Sequence, residues 1–219
     1  MIQQHDLKVT RTAHYYTIGE PSPKTKHFVI ACHGYGQLAK HFIRKFDVIA
    51  DEETFILAPE GLSRFYWKGV TGDVAASWMT KADRLDEIAD YSNYIQQIYD
   101  EYTTQLPENV TITLFGFSQG CATHCRWLMR NEPHFHNLVL WAGAFPEDLD
   151  YRPKKEYFSN KKLYHTYGDQ DQFLTPDRVK WHEGIIAKNE LEVQTIPFVG
   201  KHEVARERLQ EFWKNLSRT

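Results

Sequence analysis

A strand-like run and a helix-like run meet at residues 110–131 with almost nothing between them. The run VTITLFGF is apolar and rich in β-branched and aromatic residues, which favours a buried strand. The run CATHCRWLM that follows is compatible with a helix, and the motif GFSQG joins the two. A chain that turns this abruptly from strand into helix is typical of a sheet whose strands are connected by helices.

The same alternation continues along the whole chain. Residues 7–18 read as an extended strand or hairpin, and residues 61–78 as an irregular aromatic segment. Further strands are predicted at residues 27–34, 54–60, 110–117, 137–142, 162–168 and 193–199. Helices are predicted at about residues 39–50, 83–102, 119–131, 176–188 and 203–216. This order predicts an α/β fold with a mostly parallel central sheet covered by helices on both faces. The pattern shows no cap-sized insertion and no break between halves, so we expect a single domain over residues 1–219.

Composition narrows the function classes. The net charge is −3 and no long basic run occurs, so nothing favours a nucleic-acid partner. No run approaches the roughly 18 apolar residues of a spanning helix, so membrane insertion is not expected. The first residues lack the apolar core of a signal peptide, and three cysteines are too few for a disulfide framework. We therefore expect a cytoplasmic protein, and the oligomeric state stays open, a homodimer included.

Ser118 lies in the motif Gly116-Phe117-Ser118-Gln119-Gly120. A serine on a tight strand-to-helix turn points its Oγ out above the edge of the sheet, and a glycine two residues away on either side relieves the crowding of that turn. The start of the following helix also supplies N–H groups for a developing oxyanion. We interpret Ser118 as a nucleophile and the motif as a nucleophile elbow.

A serine needs a base, and the base needs an acid that orients it. In folds with this elbow the acid and then the histidine follow the serine along the chain, on loops after later strands. Asp169 and Asp171 follow the predicted strand 162–168, and His202 follows the strand 193–199. Spacing alone does not choose between the two aspartates, although the one deeper in the loop reaches a neighbouring loop more easily. The other candidate bases are less suitable, because they precede the acid or lie within a predicted helix: His134, His136, His165 and His182.

The oxyanion hole needs two backbone donors. One is expected from the residue after the serine, Gln119, and the other from the loop after an early strand. The segment His33-Gly34-Tyr35-Gly36 ends the strand 27–34, and its two glycines let the backbone turn an N–H towards a substrate. Tyr35 N–H is therefore the second predicted donor.

HGYG, GFSQG, GDQD and GKH, in this order and at these distances, resemble the motifs of the phospholipase/carboxylesterase family of small α/β-hydrolases. This family includes bacterial carboxylesterases and acyl-protein thioesterases, and the resemblance covers residues 27–215. It implies a metal-independent serine hydrolase that acts on carboxylic esters or thioesters without a cofactor. It also assigns the acid to the second aspartate of GDQD, Asp171, beside Ser118 and His202.

Aromatic residues near these motifs are candidates for the walls of a substrate pocket. Two lie in the irregular segment, one at its end, one at the end of the strand 137–142 and one after that strand; they are Phe65, Trp67, Trp78, Trp141 and Phe145. Ordinary core packing explains such residues equally well. Cys121 and Cys125 lie four apart on one predicted helix face, but no second ligand pair accompanies them, so we expect core packing and no metal site.

The sequence therefore predicts a serine esterase that cleaves small-molecule carboxylic esters through an acyl-enzyme intermediate and favours short to medium acyl chains. An acyl-protein thioesterase, a lysophospholipase and a small peptidase would use the same three residues, and only the pocket would distinguish them. The alternative outside the enzymes is a catalytically silent protein of the same fold that serves in binding, but such a protein has no reason to retain all three residues.

Overall fold

Seven strands form one central sheet within residues 1–216, the part of the chain that the computed structural model describes. In chain order all the strands of the described residues are β1 (Tyr15–Ile18), β2 (His27–Cys32), β3 (Thr54–Pro59), β4 (Ser63–Tyr66), β5 (Val74–Ser77), β6 (Thr111–Phe117), β7 (Asn137–Trp141), β8 (Lys162–Gly168) and β9 (Val193–Phe198). Two of them, β4 and β5, lie outside the central sheet. The spatial order in the sheet is β1-β3-β2-β6-β7-β8-β9. Within this seven-stranded sheet, the edge strand β1 is antiparallel to β3, and every other pair of neighbouring strands is parallel. This confirms the predicted mostly parallel α/β architecture.

Helices connect the parallel strands. They are α1 (Ala39–Phe42), α2 (Arg84–Thr103), α3 (Gln119–Asn131), α4 (Lys155–Ser159), α5 (Pro176–Lys188) and α6 (Arg206–Leu216). A 3-10 helix, Ile43–Ile49, continues α1, and a shorter one, Arg152–Lys154, precedes α4. None of the helices in residues 1–216 combines the length and the apolar character that crossing a bilayer requires.

The two faces of the sheet bury different side chains, because successive residues of a strand point to opposite sides. In β2, Phe28 and Ile30 belong to the core on the side of α2, α3 and α5. Val29 and Ala31 belong to the core on the side of α1 and α6. All four are at most 1% exposed. The near-continuous apolar runs in the sequence therefore reflect strands that are covered on both faces.

Three of the predicted elements need correction. Only Tyr15–Ile18 of the segment 7–18 is a strand, and the residues before it have no regular structure. Most of the helix predicted at 39–50 is a 3-10 helix. The segment 61–78 is not irregular: β4 and β5 pair antiparallel as a separate two-stranded hairpin. The single-domain prediction includes residues 217–219, which lie outside the described residues, and it stays a prediction.

The start of α5 shows how local chemistry positions a functional loop. Thr175 is the N-cap residue, and its side-chain oxygen accepts a hydrogen bond from the N–H of Arg178. Pro176 occupies the first helical turn, where a missing N–H has no cost. The helix therefore begins at a defined residue, and the loop between β8 and α5, which carries Asp169 and Asp171, has a defined length.

Candidate active site

Ser118 occupies a strained backbone position between β6 and α3. Its φ of 52° and ψ of −114° lie outside the regions that a residue with a side chain ordinarily adopts. A Cβ atom at Gly120 would lie 2.1 Å from the carbonyl oxygen of Cys32, and one at Gly116 would lie 2.6 Å from the backbone of Cys121. The two glycines are therefore required because backbone approaches them closely, as the sequence motif indicates.

His202 bridges Ser118 and Asp171. Its Nε2 lies 3.1 Å from Ser118 Oγ, and its Nδ1 lies 2.7 Å from Asp171 Oδ2. A carboxylate oxygen can only accept, so Nδ1 donates and Nε2 is left to accept the hydroxyl proton of the serine. The Asp171 side chain is fully buried, whereas that of His202 is 19% exposed. The imidazole of His202 is therefore accessible from solvent, whereas the carboxylate that it contacts is not.

The two aspartates of the GDQD motif make different contacts. Besides His202, Asp171 accepts the N–H of Phe173 through its Oδ1, at 2.8 Å. Asp169 instead accepts the N–H of Gly200 through its Oδ1, at 3.1 Å. Asp171 is therefore the aspartate in contact with the histidine, and Asp169 connects the loop after β8 to the loop after β9.

The loop after β2 lies directly beside Ser118. A Cβ atom at Gly34 would lie 3.2 Å from the Cβ of Ser118. Gly34 N–H donates to the side chain of Gln37, Gly36 N–H to the carbonyl of Ala76, and Gln37 N–H to the carbonyl of Gly34. The N–H of Tyr35, in contrast, has no hydrogen-bond acceptor within residues 1–216.

Gln119 is the first residue of α3, so its N–H has no acceptor within the helix. The two N–H groups predicted as oxyanion donors, those of Tyr35 and Gln119, thus belong to the loop beside Ser118 and to the residue that follows it.

A neutral histidine holds the loop of Tyr35 in place. His33 is fully buried, its Nε2 accepts the N–H of Gly61 at 3.0 Å, and its Nδ1 lies 2.8 Å from the carbonyl oxygen of Gly34. Burial lowers the pKa of His33 to about 4, so the ring is neutral at pH 7. With Nε2 as the acceptor, Nδ1 carries the proton and donates it to Gly34. Sequence reasoning used His33 only as part of the HGYG motif and missed this supporting contact.

The side chain of Gln119 has a second, unpredicted set of contacts. Its Oε1 accepts the N–H of Trp78 at 3.1 Å, and its Nε2 donates to the carbonyl of Met79 at 3.0 Å. The end of the β4–β5 hairpin is thereby tied to the first turn of α3, immediately after Ser118. The signal in the sequence was only that an amide side chain follows the serine.

Three of the predicted pocket residues are in the core. Trp78, Trp141 and Phe145 are at most 1% exposed, so they offer no surface to a bound substrate, and their assignment as pocket walls does not match the structure. The two tryptophans instead support the loops of the site. Trp78 Nε1 donates to the carbonyl of His33, and Trp141 Nε1 donates to the carbonyl of Glu203, both at 2.8 Å. An aromatic side chain near a motif does not by itself reveal whether its ring faces the site or the core.

The other two predicted pocket residues are at the surface. Phe65 and Trp67 surround the ring of Tyr35, with ring centroids 5.4 and 5.7 Å from it. Trp67 is 49% exposed and Tyr35 is 52% exposed. A Cβ atom at Gly36, whose φ is +78°, would lie 2.2 Å from the ring of Trp67, so this ring rests on the backbone of the oxyanion loop. We call Tyr35, Phe65 and Trp67 the aromatic ledge.

Phe173 is an aromatic residue at the site that sequence reasoning missed. Its ring packs edge-to-face against the ring of His202, with centroids 4.7 Å apart, and it is 60% exposed. The sequence shows an aromatic residue two positions after Asp171 in the loop 169–175, but no motif marks it.

The cysteines behind the elbow are buried. Cys121 Sγ lies 3.1 Å from the carbonyl oxygen of Gly116, and burial raises the pKa of both Cys121 and Cys125. Among the residues that the structure describes, no three His, Cys, Asp or Glu side chains are grouped so as to hold a metal ion.

Comparisons with known proteins agree with this fold. A family model described as phospholipase/carboxylesterase matches residues 13–219. No curated protein matches the sequence. A crystal structure of Zea mays acyl-protein thioesterase 2 superposes with a TM-score of 0.73 at 14% identity, covering 94% of this chain and 99% of that one. The Bacillus cereus carboxylesterase superposes with a TM-score of 0.64 at 12% identity, covering 93% and 94%. At these identities the structural likeness establishes the fold alone.

Proposed function

The chain belongs to the phospholipase/carboxylesterase family and is a hydrolase of the esterase or thioesterase type, and we propose that it cleaves carboxylic esters with Ser118 as its nucleophile. The observation that carries this proposal is the position of His202, with Nε2 at 3.1 Å from Ser118 Oγ and Nδ1 at 2.7 Å from Asp171 Oδ2. A serine hydroxyl becomes an effective nucleophile only when a base removes its proton, and this contact supplies one.

In the acylation step, Ser118 Oγ attacks the ester carbonyl while His202 Nε2 takes the hydroxyl proton. The negative charge that forms on the carbonyl oxygen is stabilised by the N–H groups of Tyr35 and Gln119. Asp171 holds the imidazole with Nδ1 protonated and stabilises the imidazolium that forms. His202 then gives its proton to the leaving alcohol oxygen, the C–O bond breaks, and the acyl group stays on Ser118.

In the deacylation step, His202 takes a proton from water, which attacks the acyl-enzyme carbonyl. The same two N–H groups hold the second oxyanion, and His202 returns the proton to Ser118 Oγ as the acid leaves. Every group in these steps comes from the chain, the substrate or water, so the mechanism requires no cofactor.

We assign the substrate as a small-molecule ester with a short to medium acyl chain. The support is the exposure of the residues around Ser118, since Tyr35, Trp67 and Phe173 are each about half exposed or more. Such a site is open and gives a long alkyl chain little surface to be buried against. A thioester is the second candidate, because a solved structure of similar fold is an acyl-protein thioesterase.

The test combines labelling and kinetics. A fluorophosphonate probe should label the wild-type protein, and Ser118→Ala should lose both the label and ester hydrolysis while its circular dichroism and melting temperature stay close to those of the wild type. We expect a loss in kcat of about 10⁴-fold or more, as for other triad members. Retention of most of the activity in Ser118→Ala would overturn the proposal. Absence of both labelling and hydrolysis in the wild type would favour a silent binding protein instead.

A further inference from the structure

Phe173 places a large apolar ring next to the proposed base. The ring is 60% exposed, yet it packs against His202 with centroids 4.7 Å apart and ring planes at 71°. This edge-to-face geometry is one that aromatic pairs favour. The structure therefore places an exposed aromatic ring in direct contact with the residue to which the proposed function assigns the proton transfer.

The backbone on both sides of Phe173 is fixed. Its N–H donates to Asp171 Oδ1 at 2.8 Å, and the next N–H along the chain, that of Leu174, donates to the carbonyl of Asp171 at 3.3 Å. Leu174 packs against the core on the α6 side of the sheet. Asp171, which contacts His202, therefore also fixes the backbone that carries the Phe173 ring.

The direction of proton transfer indicates which part of the substrate meets this ring. His202 Nε2 must give its proton to the leaving oxygen, so that oxygen has to lie within hydrogen-bond reach of Nε2. The alcohol part of the ester then extends from the histidine, and Phe173 is the exposed ring in contact with that histidine. The acyl carbonyl oxygen lies instead towards the N–H groups of Tyr35 and Gln119.

We propose that Phe173 determines specificity for the alcohol part of the substrate and selects esters of planar aromatic alcohols over their saturated counterparts; this inference rests on the proposed function. A planar ring in the alcohol part can stack on Phe173. A cyclohexyl group of the same size has neither the flat faces nor the quadrupole that aromatic pairing needs.

The experiment compares benzyl acetate with cyclohexylmethyl acetate. Both present the same small acyl group and a primary alkoxide leaving group, and the change in their kcat/KM ratio between variants reports the contact with the alcohol ring. We expect the wild type to favour the benzyl ester by roughly threefold to tenfold, the range expected for one aromatic pair. Phe173→Leu should bring the ratio close to 1, and Phe173→Tyr, which keeps the ring, should retain it.

The matched control is Tyr66→Leu. Tyr66 is 47% exposed on β4, but strand alternation turns it away from the face that carries Phe65, so this substitution should leave the ratio unchanged. A thermal melt of each variant accompanies the kinetics.

A wild-type ratio near 1, or a ratio that survives Phe173→Leu, overturns the inference. A ratio that falls equally in Phe173→Tyr and Phe173→Leu also overturns it, because the ring would then not be the cause. Fluorophosphonate labelling of Ser118 without hydrolysis of either acetate overturns this inference but not the proposed function. Absence of labelling as well overturns both.

Discussion

Asp169 joins the loop after β8 to the loop after β9, because its Oδ1 accepts the N–H of Gly200 at 3.1 Å. The two loops approach closely at this point: a Cβ atom at Gly168 would lie 2.2 Å from the carbonyl oxygen of Gly200. Asp171, two residues further on, points to His202 instead. Neighbouring aspartates of one motif therefore have separable roles, one towards the backbone and one towards the imidazole.

The first prediction separates these roles by substitution. Asp171→Asn should reduce kcat by about 10⁴-fold with the fold retained, because an amide in that place favours the wrong tautomer of His202. Asp169→Asn should stay active. Its free energy of unfolding should fall by about 1 kcal/mol or less, since asparagine keeps an oxygen that can accept the Gly200 N–H. Steady-state kinetics and thermal melts of the two variants measure both effects. The opposite pattern would move the orienting acid to Asp169.

The second prediction concerns the glycines of the elbow. Gly120→Ala should destabilise the fold by roughly 2 kcal/mol or more, because its Cβ would lie 2.1 Å from the carbonyl oxygen of Cys32 and one of the two backbones would have to move. The matched control is Gly184→Ala in the middle of α5, where nothing beyond the neighbouring residues and the backbone of the helix itself lies within 4 Å of the added Cβ. This change should stabilise the protein by roughly 0.5–1 kcal/mol. Urea denaturation compares the three proteins, and equal midpoints would contradict the prediction.

The third prediction concerns acid stability. His182 is fully buried, its Nε2 accepts the N–H of Phe145 at 2.8 Å, and burial, with smaller effects from His165 and Arg178, lowers its pKa to about 3. In the unfolded chain the His182 imidazole binds a proton at pH values below about 6.5. In the folded chain it binds this proton only near pH 3. The stability contribution is therefore present above pH 6.5 and is lost as the pH falls from 6.5 towards 3.

The variant His182→Gln keeps an acceptor for Phe145 N–H and removes this titration. Its free energy of unfolding should fall less between pH 7 and pH 4 than that of the wild type, by about 2–3 kcal/mol. The exposed His5→Gln serves as the control and should follow the wild type. Chemical denaturation at several pH values measures the difference. Parallel curves for the wild type and His182→Gln would show that His182 does not hold its ring neutral at low pH.

The fourth prediction concerns acyl length. On p-nitrophenyl esters from acetate to palmitate, kcat/KM should peak at short to medium chains, because the exposed residues around Ser118 leave a long chain in water. A steep rise out to palmitate would indicate a deep apolar channel and would overturn the open-site interpretation.

Adding EDTA should leave each rate unchanged, since the proposed steps require no metal. Inhibition by EDTA that zinc reverses would contradict them.

Periodicity and motif order predicted the parts of this protein that depend on local sequence. The strand Lys162–Gly168 and the helix Pro176–Lys188 have the predicted bounds, because a proline and an N-cap threonine mark the start of the helix. The order Ser118, Asp171, His202 placed three distant residues correctly relative to the strands that carry them. That they meet through hydrogen bonds is information that only the three-dimensional arrangement supplies.

The direction in which a ring points was not predictable in the same way. Trp78 and Trp67 lie in the same aromatic segment, yet one is buried and the other is 49% exposed. Trp78 packs against Tyr91 of α2, whereas Trp67 packs against the half-exposed Tyr35, and these tertiary contacts do not follow from residue type. Phe173 was missed because neither periodicity nor a motif marks an isolated aromatic residue in a loop.

The wide spacing of the reactive residues has a consequence for a chain still being made. Ser118 and His202 are 84 positions apart, and His202 follows β9, the last strand along the chain and an edge of the sheet. A nascent polypeptide on the ribosome acquires its elbow long before it acquires the base. Under the proposed mechanism the serine therefore stays unreactive until the residues after β9 have been made and β9 has paired with β8. A covalent probe for Ser118 would then label chains that have folded through β9 and would not label shorter nascent chains.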